Sequence, residues 1–197
     1  KAAASDADVL VIVLLGQDLV QTMRLAQTLE LGKRMQIIVP NLTQSIVEQA
    51  GPLVMENVIG TEAWTWRVPK LVDSVEGQTF VDRFIAQHQA YPGSTAASAY
   101  GIVRRWADAA QRAGSLDSEE VIAALEGHRY RLLKDEQYWR DFDHQNVQSI
   151  YAVRVRNRSE IMQDRFKQDY FTIIHRMDGE EAAPSLDDWQ QERGDQL

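Results

Sequence analysis

Residues 9–15 read VLVIVLL, seven apolar residues in a row that end abruptly at Gly16-Gln17-Asp18. Apolar side chains on both alternations suit a parallel strand covered by helices on its two faces. Leu19, Val20, Met23, Ala26, Leu29 and Leu31 then recur at helical spacing up to Gly32, and a second apolar run, Met35 to Val39, stops at Pro40. Strand, helix and parallel strand make a βαβ unit, so the fold class is α/β with parallel sheets.

Beyond this unit, Asn41 with Gln44 predicts a capping box for a short helix ending near Gly51, and Val54–Ile59 predicts a third strand. The pattern breaks around Glu62-Ala63-Trp64-Thr65-Trp66, and residues 69–77 read as an irregular connection. Helical spacing returns at Phe80, Val81, Phe84 and Ile85 and stops at Tyr91-Pro92-Gly93. The segment 95–113 is Ala-rich and sets Ala99, Tyr100, Val103, Trp106, Ala107 and Ala110 on one side, the pattern of a packed helix. Asp117 and Glu120 form a second capping box, with Leu116 and Val121 as its apolar staple. Strands follow at Ser149–Val155 and Tyr170–Ile174, and the stretch from Asp178 to Asp195, with seven acids against one arginine, reads as a peripheral tail held by Trp189 or frayed.

Composition narrows the chemistry. The chain has 197 residues, 44% hydrophobic and 25% charged, and a net charge of −8 with no basic and aromatic cluster, so a nucleic-acid partner lacks its source of phosphate affinity. Without cysteine there is no disulfide, thiolate nucleophile or Cys-ligated metal. No apolar run approaches the roughly 20 residues needed to span a bilayer. No phosphate loop, dinucleotide fingerprint, nucleophile elbow or zinc-binding helix is present, so catalysis has no support, and no cofactor is signalled. His88, His128, His144 and His175 are widely spaced and give no metal-ligand pattern.

What remains is binding. Parallel α/β sheets hold ligands beyond the carboxyl ends of their strands, which places Gly16 and Gln17 on one rim with Asn41. Taken singly, Gly16 reads equally as a turn and Asn41 as a helix cap. Trp64 and Trp66 alternate, so an extended segment would aim both one way, either into a linker core or onto a ligand. Glu62 has the charge to receive an ammonium group. Tyr130, Tyr138, Trp139 and Phe142 serve a cleft or lobe packing equally well.

The order of these pieces resembles the C-terminal half of type I periplasmic solute-binding proteins of the branched-chain amino acid and amide-binding transporters. The resemblance rests on ADVLVIVLLGQDLVQTMRLAQTLELGKRMQIIVPN, on GTEAWTW before FVDRFIAQHQAYPG and STAASAYGIVRRWADAAQRAG, and on EVIAALEG before YWRDFDHQNVQSIYAVRV. It implies three-layer parallel-sheet lobes of the type I periplasmic-binding fold, incomplete in this chain. Residues 7–62 would belong to the second lobe, 63–76 to a crossover, 77–129 to first-lobe helices and strand, 130–177 to a return crossover with hinge-proximal and second-lobe elements, and 178–197 to the tail.

By the same resemblance Gly16-Gln17 match the loop that packs an aromatic side chain on the solute, and Asn41 falls where an acid often meets its amino group. Neither residue type is present here, which leaves amides, organic acids or another small metabolite open beside amino acids. Tyr130 and His144, the latter in the segment DFDHQ, would lie near the hinge or cleft. The implied role is capture of a small polar solute in an interlobe cleft, without chemistry, in the periplasm or another extracytoplasmic space. The partners would be a membrane permease of an ABC transporter and either a missing N-terminal fragment or a second copy of this chain. The alternative is a ligand-sensing module of a receptor or regulator with the same fold. In either case the first-lobe helices are expected to expose an apolar face.

Overall fold

The computed structural model describes residues 1–193. In chain order they form β1 (Val9–Val11), α1 (Gly16–Thr28), β2 (Gln36–Val39), α2 (Gln44–Ala50), α3 (Pro52–Met55), β3 (Ile59–Glu62), α4 (Val68–Leu71), α5 (Val75–His88), α6 (Ser94–Ala113) and α7 (Ser118–Leu125). There follow β4 (Tyr138–Trp139), β5 (Asn146–Val147), β6 (Ile150–Val155), α8 (Arg158–Gln163), β7 (Phe171–Met177), α9 (Gly179–Ala182) and α10 (Leu186–Arg193). The chain divides into two compact units: residues 1–66, 81–94 and 151–176 in one, residues 67–80, 95–150 and 177–197 in the other.

The first unit is built on a mixed, mostly parallel sheet in the order β1-β2-β3-β6-β7. β1, β2 and β3 run parallel, and β6 returns antiparallel to β3 with Gly60 opposite Val153 and Glu62 opposite Tyr151. Strand register sorts the side chains. Ile37, Val39, Tyr151 and Val153 share the face that is buried, where Leu19, Val20 and Met23 of α1 and Ile46 and Val47 of α2 complete the core. Val9, Val11, Ile38, Ile59 and Arg154 share the opposite face, which is half-buried to exposed.

That second face corrects the reading of residues 9–15 as a strand covered on both sides. β1 is the edge strand, Val9 and Val11 are 48% and 53% exposed, and only Ile12 of the run is buried. A parallel sheet is ordinarily covered on each face, and at Val9 and Val11 this face is left open. The third strand also shifts. Val54 and Met55 belong to α3, started by Pro52 at its first position, and the strand begins at Ile59. Proline before three apolar residues fits a helical first turn better than a strand, because its missing N–H costs nothing there.

In the second unit α7 starts as its sequence predicts: the Asp117 carboxylate accepts from the Glu119 and Glu120 amides. Val121 is buried against Ala109 and Ala110 of α6, but Leu116 is exposed, so the staple is not made. Asp117→Ala is expected to cost about 1 kcal/mol in urea unfolding, with Asp117→Asn close to neutral. α6 packs only part of its apolar side: Ala110 is buried, while Val103 and Trp106 are 65% and 51% exposed, an apolar face left open as expected. The helix is amphipathic, and the described residues leave its apolar side uncovered at Val103 and Trp106. The described part of the tail, to Arg193, is anchored, and residues 194–197 lie outside the described residues. Trp189 meets Phe142 edge-on at 5.6 Å, and the Pro184 carbonyl accepts from Arg140.

Candidate functional site

Three strand ends of the first unit carry the sequence-predicted rim. Gly16 opens α1 with φ of +56°, a left-handed geometry that glycine adopts without cost, and turns the chain off the end of the β1 segment. Gln17 follows in the first turn of α1, exposed, its amide 3.4 Å from that of Gln49. Asn41, past β2, also has a left-handed backbone, φ of +58°, and is not a helix cap: α2 starts after Thr43. Its N–H donates to Thr61 Oγ1 at 3.3 Å, and the next amide, Leu42 N–H, donates to the Thr61 carbonyl at 3.0 Å. The loop after β2 is thereby laid along the end of β3, next to Glu62.

Glu62 closes β3 and is 4% exposed. One carboxylate oxygen accepts from Ser94 Oγ at 3.2 Å, at the first residue of α6, and the Ala63 N–H adds a backbone bond. Among the described residues no lysine, arginine or histidine pairs with it. Burial without a compensating cation pushes the carboxyl up to about 7 from its ordinary 4.5, against the opposing pull of the Ser94 and Ala63 bonds. Glu62 therefore stands near half-protonation at neutral pH, able to donate a hydrogen bond in one form and to receive a cation in the other.

The tryptophan pair separates in the structure, since the segment after β3 is a bend and turn and not extended. Trp64 is buried. Trp66 is half-buried and stacks flat on Tyr91, ring centres 4.1 Å apart and 3° from parallel. Tyr91 is held in turn by its hydroxyl, which donates to Asp164 at 2.7 Å, by its N–H, which donates to Gln168 Oε1 at 3.2 Å, and by Phe166 edge-on at 5.1 Å. A rigid aromatic plate thus sits in the same unit as Glu62, one residue before Pro92-Gly93-Ser94.

Sequence reasoning missed Tyr91, Ser94 and Asp164. In the sequence, Tyr91 reads only as part of a helix stop. Ser94, directly after Pro-Gly, carried a helix-start signal, but its carboxylate partner lies 32 residues earlier, and the link from Tyr91 to Asp164 spans 73 residues. Such pairs leave no local pattern.

Tyr130 and His144 lie in the second unit. Tyr130 is buried, stacks on Trp139 at 5.2 Å, accepts from Asn146 Nδ2 and lies under the Arg105 guanidinium. His144 is exposed, with its Nδ1 3.3 Å from Glu126, while the neighbouring Asp143 is taken up by Arg140. At the opposite, amino ends of the first unit's strands lies a groove of about 410 Å³ bordered by Met23, Gln27, Lys33, Gln36, Glu56 and Asn57, none of them a sequence-predicted site residue. Among the described residues no three acids or histidines converge as metal ligands, and no helix is long and apolar enough to cross a membrane.

This architecture can be set beside known proteins. The sequence pattern described as periplasmic binding protein matches residues 1–160. The chain belongs to the periplasmic binding protein family. That family consists of non-catalytic binding proteins. Among solved structures, a periplasmic binding protein of Burkholderia mallei superposes with a TM-score of 0.76 at 22% identity, over 90% of this chain and 46% of its own. The periplasmic ligand-binding protein of a branched-chain amino acid ABC transporter from Burkholderia xenovorans gives 0.75 at 20% identity, over 91% and 46%. A solute-binding protein of an ABC transporter from Rhodopseudomonas palustris, in complex with 3,4-dihydroxybenzoic acid, gives 0.69 at 18%, over 90% and 46%. The chain thus spans about half the length of these periplasmic binding structures and shares their fold. A search of curated proteins gives no match.

Proposed function

We propose that this member of the periplasmic binding protein family is the solute-binding component of an ABC importer, working outside the cytoplasm and delivering a small polar metabolite to a membrane permease. Glu62 carries the reading. A carboxyl buried at the carboxyl end of a parallel strand, without a cation, costs stability and is retained where it meets a ligand. The solute places an amine, amide or other hydrogen-bond donor on Glu62 and its flat or apolar part along Trp66. Asn41 and Gln17 contribute amide groups in place of the acid and aromatic side chain, and Gly16 lets the backbone come close. No bond is made or broken. Polypeptide beyond this chain completes the pocket, in keeping with relatives about twice as long.

The test is a titration of the chain together with the polypeptide that completes its pocket, using a panel of branched-chain amino acids, their amides and 3,4-dihydroxybenzoic acid, followed by amide and indole NMR shifts. Solutes with a donor group are expected to move the Glu62, Ala63 and Trp66 resonances. Glu62→Gln is expected to weaken the best of them at least tenfold, the loss of one charged hydrogen bond. Absence of shifts at these residues with every solute at millimolar concentration would sink the assignment.

A further inference from the structure

Tyr91 is held at its hydroxyl and at both of its backbone groups. The hydroxyl donates to Asp164 Oδ1 at 2.7 Å, the N–H donates to Gln168 Oε1 at 3.2 Å, and the carbonyl accepts from Gln44 Nε2 at 3.5 Å. The groups that hold it are themselves held. Asp164 Oδ2 accepts from the Phe166 and Gln168 amides at 3.1 and 3.2 Å, and Glu48 Oε1 accepts from Gln44 Nε2 at 3.1 Å and from Gln168 Nε2 at 3.4 Å. One ring is thus tied at its backbone end and at its hydroxyl end by side chains from α2 and from the loop between α8 and β7.

Tyr91 is only half-buried, so water could meet its hydroxyl and the bonds add little as packing. What they fix is orientation. Trp66 lies flat on this ring, so the plane of Tyr91 sets the plane of Trp66. The same clamp reaches the carboxyl. Ser94, three residues after Tyr91, donates to Glu62, and Gly93 between them rests on Gln44, whose Cβ would lie 3.6 Å from a methyl group added there. Every one of these bonds lies within the first unit and within this chain, so none depends on the polypeptide that completes the pocket.

We propose that Asp164 and Gln168 are positioning residues that make the site selective for flat solutes, because through Tyr91 they hold Trp66 as a planar wall in a fixed place relative to Glu62. This rests on the reading of Glu62 and Trp66 as the place where the solute sits. A flat solute stacks on a fixed flat wall over its whole face, whereas a puckered one touches it at few atoms. A wall free to tilt serves both alike.

Benzamide and cyclohexanecarboxamide carry the same amide on a flat ring and on a puckered one, so the ratio of their affinities isolates the wall. Each is titrated into the chain together with the polypeptide that completes its pocket, and NMR shifts at Glu62 and Trp66 give the two dissociation constants. Benzamide is expected to bind about fivefold more tightly, the worth of one aromatic stack. Tyr91→Phe keeps the ring and loses its bond to Asp164, and is expected to bring the ratio below about twofold. Asp164→Ala removes the same bond from the other side and is expected to do the same, which guards against a Tyr91→Phe chain that fails to fold. Loss of folded protein alone weakens both amides by one factor and leaves their ratio untouched, so Asp117→Ala, at the start of α7, is expected to keep the wild-type ratio. A ratio unchanged in Tyr91→Phe and Asp164→Ala, or equal affinities in the wild-type protein, overturns the inference and leaves Glu62 as the solute's partner. If neither amide shifts the Glu62 resonances, the reading of the site falls and the inference falls with it.

Discussion

Glu62→Gln is expected to make the protein more stable above neutral pH, by about 3 kcal/mol, and to leave it unchanged at pH 4. The unfolded chain loses the Glu62 proton near 4.5, whereas the folded chain holds it to about 7. Between those values the folded state binds more protons, so stability falls as the pH rises through this window and is flat beyond it. A displacement from 4.5 to about 7 corresponds to about 3 kcal/mol. Glutamine keeps an oxygen to accept from Ser94 Oγ and has no charge to bury, so its pH profile loses the slope. Urea unfolding of both proteins at pH 4, 6 and 8, followed by tryptophan fluorescence, measures the difference. Parallel profiles would show that Glu62 is solvated or paired in solution. The same substitution is expected to weaken solute binding, and stability gained while binding is lost is the mark of a residue kept for its ligand. A buried acid kept only for packing would give the first effect without the second.

Many of the elements are readable in the sequence because each has a local cause. The apolar runs ending at Gly16 and Pro40 mark β1 and β2, the helical spacing from Leu19 marks α1, and Asp117 marks the start of α7 through bonds to amides two and three residues on. Burial was read less well. Val9 and Val103 look like core residues because their neighbours in sequence are apolar, yet whether anything covers them depends on other chain segments. The rim was half readable. Strand ends named Gly16 and Asn41 and charge alone named Glu62, but the plate formed by Trp66 and Tyr91 depends on Asp164 and Gln168, far along the chain. The resemblance to periplasmic binding proteins supplied the order of the elements, and the geometry around Glu62 supplied the chemistry, which neither acid nor aromatic at the expected positions could provide.

Gly60→Ala is expected to be the most damaging small substitution, costing about 4 kcal/mol, although Gly60 touches no candidate ligand group. Gly60 sits in the middle of β3 opposite Val39 and Val153. A methyl group there would lie 2.3 Å from Leu42 Cβ and 2.4 Å from the Val39 carbonyl oxygen. Neither atom is the end of a flexible side chain, so the backbone from Val39 to Leu42 has to lift off β3. Overpacking of this kind costs about 3 kcal/mol. Lifting also strains the bonds from Asn41 N–H and Leu42 N–H to Thr61, at about 1 kcal/mol for each one lost. The contrast is Gly32→Ala, whose methyl would meet only Ile37 Cδ1 at 3.9 Å and whose effect is expected to stay within about half a kcal/mol. Because the loop that moves carries Asn41, Gly60→Ala is also expected to abolish solute-induced shifts at Glu62 under conditions where the chain is still folded, such as low temperature. If the variant unfolds at the wild-type urea concentration, the close approach of the β2 loop to β3 is wrong, and with it the placement of Asn41 beside Glu62.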